Sequence, residues 1–93
     1  MQKIVRKRIV FYGEVQGVGF RFRARNAADR VGATGWVRNE YDGSVVMEIQ
    51  GTELMIDEVI RMIQQGRFIE ISDMEAEKIP LIEDERRFRT EWY

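Results

Sequence analysis

The chain has no cysteine and no histidine among its 93 residues. Without cysteine there are no disulfides, no thiolate catalysis and no sulfur metal ligands. Without histidine there are no Ser-His-Asp or Cys-His nucleophilic sites, imidazole proton shuttles or histidine zinc sites. Nor is there an apolar run of about 18 residues, the length a membrane-spanning helix needs. The opening stretch, MQKIVRKRIVFYG, has neither a long apolar segment nor a small-residue cleavage site, so it does not read as a signal peptide. Cytoplasm is the expected compartment. Any chemistry must run on Arg, Lys, amides, hydroxyls and carboxylates.

What is present suits one small globular unit. The length accommodates a single core, so residues 1–93 are expected to form one domain. An apolar share of 44% argues against disorder. Net charge is close to zero but unevenly spread. Residues 1–39 carry nine basic and two acidic residues, a net +7, while residues 40–93 carry six basic and fourteen acidic, a net −8. A basic half suits a small anionic ligand, and it would also suit nucleic acid.

The stretch Gly13 to Asn39 organises the chain. A strand ending Gly13-Glu14-Val15 breaks at Gln16-Gly17-Val18-Gly19-Phe20, and a helix is expected over 21–31, stopped by Gly32. A strand, a glycine loop and a helix N-terminus together make an anion site, because unpaired backbone N–H groups point outward there. The first turns of this helix hold Arg21, Arg23 and Arg25 and no acid. That sign opposes the helix dipole, which favours acids at this end by roughly 0.3–1 kcal/mol each. The second expected helix opens in the ordinary way, with Thr52-Glu53 followed by Asp57 and Glu58. A bound anion would relieve the repulsion in the first helix. Arg23 and Arg25 are expected simply to point to water, since exposed charges cost little there, which leaves Arg21 as the one that matters.

The remaining elements follow from periodicity. Residues 4–15 read as a strand with Ile9, Phe11 and Val15 on one face. Ala24, Ala27, Ala28 and Val31 form a helical apolar stripe, and Arg25 and Asp29 could pair across one turn. Residues 34–39 and 44–50 read as a hairpin turning at Asp42-Gly43, with Val37, Val45, Met47 and Ile49 inward. A helix over 53–65 is capped by Thr52 and stopped by Gly66. In 68–79 the alternation changes phase between Ile71 and Met74, which implies a bulge. Pro80 ends that strand, Glu83-Asp84-Glu85 reads as a solvated acidic loop, and 88–93 reads as a terminal strand. The β-α-β-β-α-β order implies a ferredoxin-like sandwich, an antiparallel sheet with two helices on one face.

Gly13-x-Val15-Gln16-Gly17-Val18-Gly19-Phe20-Arg21, with Gly35-Trp36-Val37-Arg38-Asn39 and Asp42-Gly43 at this separation, resembles the acylphosphatase family over essentially the whole chain. Two places depart from the family pattern: Gln64 to Ile69, where a Gly-Pro-Pro type turn is frequent, and Thr90, where an aliphatic residue is common. The resemblance implies hydrolysis of the carboxyl–phosphate bond of acyl phosphates, with no cofactor and no metal. It implies that Arg21 and the backbone of Gln16, Gly17, Val18, Gly19 and Phe20 hold the phosphate. Asn39 would hold the attacking water, and the substrate phosphate would take its proton. Read from spacing alone, Asn39 serves equally well as a turn residue. The expected partners are a small-molecule acyl phosphate and, as competitors, inorganic phosphate or sulfate, acting on a monomer without nucleic acid or membrane. The alternative is a non-enzymatic RNA- or anion-binding module on the same frame, with Tyr12 and Trp36 stacking bases on the open sheet face.

Overall fold

A computed structural model describes residues 2–92. The elements are β1 (Ile4–Glu14), α1 (Phe20–Val31), β2 (Thr34–Asn39), β3 (Val45–Thr52), α2 (Glu53–Gln64), β4 (Glu70–Ile79) and β5 (Phe88–Thr90). The sheet order is β4-β1-β3-β2-β5. β1 pairs antiparallel with β3 and β4, and β2 antiparallel with β3, which gives the expected β-α-β-β-α-β frame. A fifth strand makes the sheet mixed, because β5 joins β2 in parallel, with Gly35 opposite Phe88. The terminal strand is shorter than its period-2 pattern implied. It stops at Thr90, and the expected position Tyr93 lies outside the described residues.

Inward alternation behaves as the sequence requires. Ile9, Phe11, Val37, Val45, Met47 and Ile49 are buried against Phe20, Ala24, Ala27 and Ala28 of α1 and Ile56, Val59 and Ile63 of α2. Each fully buried large side chain contributes about 1.5–3 kcal/mol. Alanine on α1 lets that helix lie close to the sheet and to α2. The Thr52 hydroxyl accepts from Met55 N at 3.1 Å and caps α2. Gly32, at φ 85°, donates to Ala28 O at 2.9 Å and closes α1. Among the described residues no ion pair joins Arg25 to Asp29, and Ala24, Ala27 and Ala28 pack α1 on the core.

The bulge implied by the phase change is present. Tyr12 pairs with Asp73 but Gly13 pairs with Ile71, leaving Ser72 unmatched. Met74 and Ala76 share the helix side with Phe11 and Ile9, yet sit at the sheet edge and stay exposed. Glu70, Asp73, Glu75, Glu77 and Lys78 charge this edge strand, which discourages pairing with another chain.

The face away from the helices carries a feature that periodicity did not indicate. Arg6 is 1% exposed and donates to Glu48 at 3.1 Å, to Gln50 at 3.2 Å and to Glu85 at 2.7 Å. Gln50 in turn exchanges two 3.0 Å hydrogen bonds with the backbone of Ile82. The segment 80–87 is therefore strapped over the sheet. Glu85, expected in a solvated acidic loop, is an ion-pair partner of Arg6 and Arg89 instead.

The hairpin turn supplies a pH prediction. Asp42 Oδ1 accepts from Ser44 Oγ at 2.6 Å and from Ser44 N at 2.9 Å. These bonds, the hydroxyl first, hold the Asp42 carboxyl below its ordinary 3.8. A lowered folded-state value means a stabilising contribution present above the unfolded-state value and lost as pH falls through the folded one. In melting scans from neutral pH to about pH 2, Asp42→Asn should show a flatter acid limb than the parent. Parallel limbs would mean that Asp42 does not contribute to the linkage.

Candidate active site

The loop between β1 and α1 is pinned by its apolar residues and presents its backbone. Val15 and Phe20 are 1% and 2% exposed, and Val18 packs on the same core. The Phe20 ring meets Phe11 at 4.9 Å between centroids. Gly17 and Gly19 lie between these anchors at φ 74° and 82°, a left-handed conformation that glycine adopts without strain. Gly19 is the N-cap of α1, yet no side chain caps the helix and its first turn holds no acid. Among the described residues, no backbone N–H from Gln16 to Arg21 is used in an intramolecular hydrogen bond; the helix ladder starts with Arg23 N to Gly19 O at 3.0 Å. Donors left free at a helix N-terminus are oriented for an anion.

Two side chains from distant positions meet beside the start of α1, in a cavity that residues 16–20 themselves do not line. Arg21 follows directly on the loop, and Asn39 is the last residue of β2, opposite Val45. With Glu91 and Trp92 they line one cavity of about 190 Å³. The Arg21 guanidinium carbon lies 4.5 Å from the centre of the Trp92 ring, so one face of the cation is covered while its N–H edges stay available. Glu91 brings a negative charge to the wall, and Arg89 offsets it with bonds of 3.0 and 2.9 Å. Arg38 is turned away, paired with Glu40 at 3.0 Å and lying over Trp36. A larger groove of about 750 Å³ runs along α1 beside Met62 and shares Val18 and Gly19 with the loop. It contains neither Arg21 nor Asn39, so the convergent polar groups lie in the smaller cavity.

A sequence-family comparison matches the acylphosphatase model to residues 7–90. The chain belongs to the acylphosphatase family. An acylphosphatase of Bifidobacterium longum is 41% identical over 85 residues, covering 90% of this chain and 88% of that one. One from Geobacillus kaustophilus is 38% identical over 85 residues, covering 90% of each. The crystal structure of the Bacillus subtilis acylphosphatase superposes with a TM-score of 0.83 at 30% identity, covering 95% of this chain and 98% of that one.

In this family member the structure brings Arg21 and Asn39 to one cavity and sets the loop Gln16–Phe20 beside Arg21. It also corrects the expectation for Arg23, which does not simply point to water. Its Nη1 donates to Met62 O, near the C-terminus of α2, at 3.2 Å. That carbonyl also accepts from Gln65 N at 3.3 Å in the last turn, and the guanidinium takes its second lone pair at the negative end of the helix dipole. A Cβ on Gly66 would lie 2.9 Å from the Arg23 side chain and 2.5 Å from Ile69, so the departure from the family pattern at 64–69 is packed around this contact. Sequence reasoning missed Glu91 and Trp92 as wall residues. Their period-2 pattern looked like strand, and nothing local showed that the chain would pass Arg21. It also missed the Gln16 side chain, whose amide donates to Glu40 O at 2.7 Å and Ser44 O at 2.8 Å. No described helix is long and apolar enough to cross a membrane.

Proposed function

We infer that the chain hydrolyses the carboxyl–phosphate bond of acyl phosphates, with the loop and Arg21 holding the phosphoryl group and Asn39 orienting water. The observation that carries this reading is the convergence of Arg21 and Asn39 on one cavity next to a helix N-terminus with free backbone donors. Family membership carries the activity itself. Arg21 can fork onto two phosphate oxygens. The N–H groups of Gln16, Gly17, Val18, Gly19 and Phe20 supply a fixed field for oxygens whose charge changes during transfer. The Asn39 amide accepts from and donates to a water at once, which fixes its direction. The water oxygen bonds to phosphorus as the bond to the acyl oxygen breaks. The carboxylate leaves with the electron pair, and a phosphate oxygen takes the water's proton. A carboxylate is a weak base and leaves without an acid, so histidine is dispensable. The chain would act as one domain and a monomer, on a small-molecule substrate in the cytoplasm. The RNA-binding reading finds no support on the open face: Tyr12 donates to Glu75 at 2.9 Å, and Trp36 is occupied by Arg38.

Benzoyl phosphate should be hydrolysed, with inorganic phosphate and sulfate competing, because the cradle recognises a tetrahedral anion. Both anions should raise the melting temperature by binding the folded state alone; at 100 times the Kd the gain is about 2.7 kcal/mol. Millimolar phosphate that moves neither the rate nor the melting temperature would show that the loop does not take this anion.

A further inference from the structure

We propose that the Gln16 side chain is a positioning residue, a strut that fixes the phosphate cradle relative to Asn39. The inference rests on the roles given above to the loop and to Asn39. The β1–β3 ladder ends at Phe11 and Val45, so the end of β1 and the loop after it are not held to the β2–β3 hairpin by backbone pairing. The loop 16–20 is joined to the hairpin turn by two hydrogen bonds from Gln16 Nε2, 2.7 Å to Glu40 O and 2.8 Å to Ser44 O. An amide nitrogen has two hydrogens, and both are used. The two carbonyls already accept from Gly43 N and Glu40 N, so the amide takes their second lone pairs at the mouth of the turn. Glu40 follows Asn39, and Ser44 precedes Val45, its ladder partner. The amide thus grips both strands just beyond Asn39, while the Gln16 backbone opens the cradle. One side chain ties the group that orients water to the groups that hold phosphorus, and a misplacement of about 1 Å between such groups can lower a rate by roughly 10²-fold.

Gln16→Met keeps the length and removes both donors. Benzoyl phosphate kinetics on the parent, Gln16→Met, Asn39→Ala and the double variant, with circular dichroism and phosphate calorimetry on each, test the strut. Gln16→Met should lower kcat by ~10–100-fold while KM and phosphate affinity stay within ~3-fold, because the backbone donors persist. In the Asn39→Ala background the same change should lower kcat by less than ~3-fold, since there is no oriented water left to misplace. A full-sized loss in the double variant, or a loss matched by weaker phosphate binding, overturns the strut and leaves the Asn39 assignment standing. An unchanged kcat per folded molecule with a lowered melting temperature overturns it too, because that is a structural tie only. If Asn39→Ala itself turns over like the parent, the underlying reading fails and the strut with it. Should Gln16→Met not fold, Gln16→Asn takes its place, with an amide one methylene too short to reach both carbonyls and the same outcomes deciding.

Discussion

Arg21→Ala is expected to abolish turnover almost completely and to weaken phosphate binding, whereas Asn39→Ala is expected to lose turnover alone. The contrast follows from when each group is used. Arg21 sits at the start of α1, its guanidinium held against Trp92 in the cavity that Asn39 also lines. It meets the phosphoryl oxygens in the ground state and in the transition state, so its loss raises KM and lowers kcat together. Removing one preorganised donor typically lowers kcat by ~10²–10³-fold, and a forked cation belongs at the upper end. Asn39 acts on the water. Its loss should lower kcat by ~100-fold or more and leave phosphate affinity near the parental value. Neither change opens a core cavity, since both side chains are only partly buried, so both variants should stay folded. Calorimetric phosphate titrations beside benzoyl phosphate kinetics separate the two. An Asn39→Ala protein that folds and turns over normally would remove the water-orienting role.

The largest effect on stability is expected on the opposite face of the sheet. The Arg6 side chain is fully buried, and Glu85 and Glu48 beside it are 6% and 16% exposed. Arg6→Ala leaves these carboxylates facing each other across a space that water enters poorly. Breaking such a buried set by removing one partner costs about 3–5 kcal/mol. A domain of this kind has only about 5–15 kcal/mol in total, so the variant should be close to unfolding at 37 °C. Arg6→Lys should recover little, because one ammonium cannot fork onto both carboxylates. Arg6→Met combined with Glu48→Gln and Glu85→Gln should recover much of the loss, since no buried charge then lacks a partner: Arg8, which loses Glu48, is solvent-accessible, and Arg89 keeps Glu91. Urea unfolding of these variants reads the difference directly. A change below about 1 kcal/mol in Arg6→Ala would mean that the cluster is solvated and behaves as a surface pair.

The two predictions divide along the line between local and distant information. The inward residues of β1, β2 and β3, the Thr52 and Gly32 caps, the glycine loop and the bulge near Ser72 were all legible in the chain. Each is written within a few residues, in a period of two or of about 3.6 or in a backbone requirement for glycine. Arg21 and the loop were legible for the same reason, since strand, glycines and helix start are contiguous. Asn39 was legible only through its motif, because spacing alone allowed a turn residue.

The sequence by itself determined which segments become strands and helices, which faces turn inward and where free backbone donors would be presented. Only the tertiary structure decided that Glu91 and Trp92 close the wall beside Arg21, that Gln16 grips the hairpin past Asn39, that Arg23 caps α2, and that Arg6 is buried under Glu85. These pairs are separated by 24 to 79 positions in the chain. Neither member of such a pair carries a mark of the other, because a polar side chain at an outward position looks the same whether water or a distant strand satisfies it. Strand order and register make that choice, and they are set by how the whole apolar face is buried.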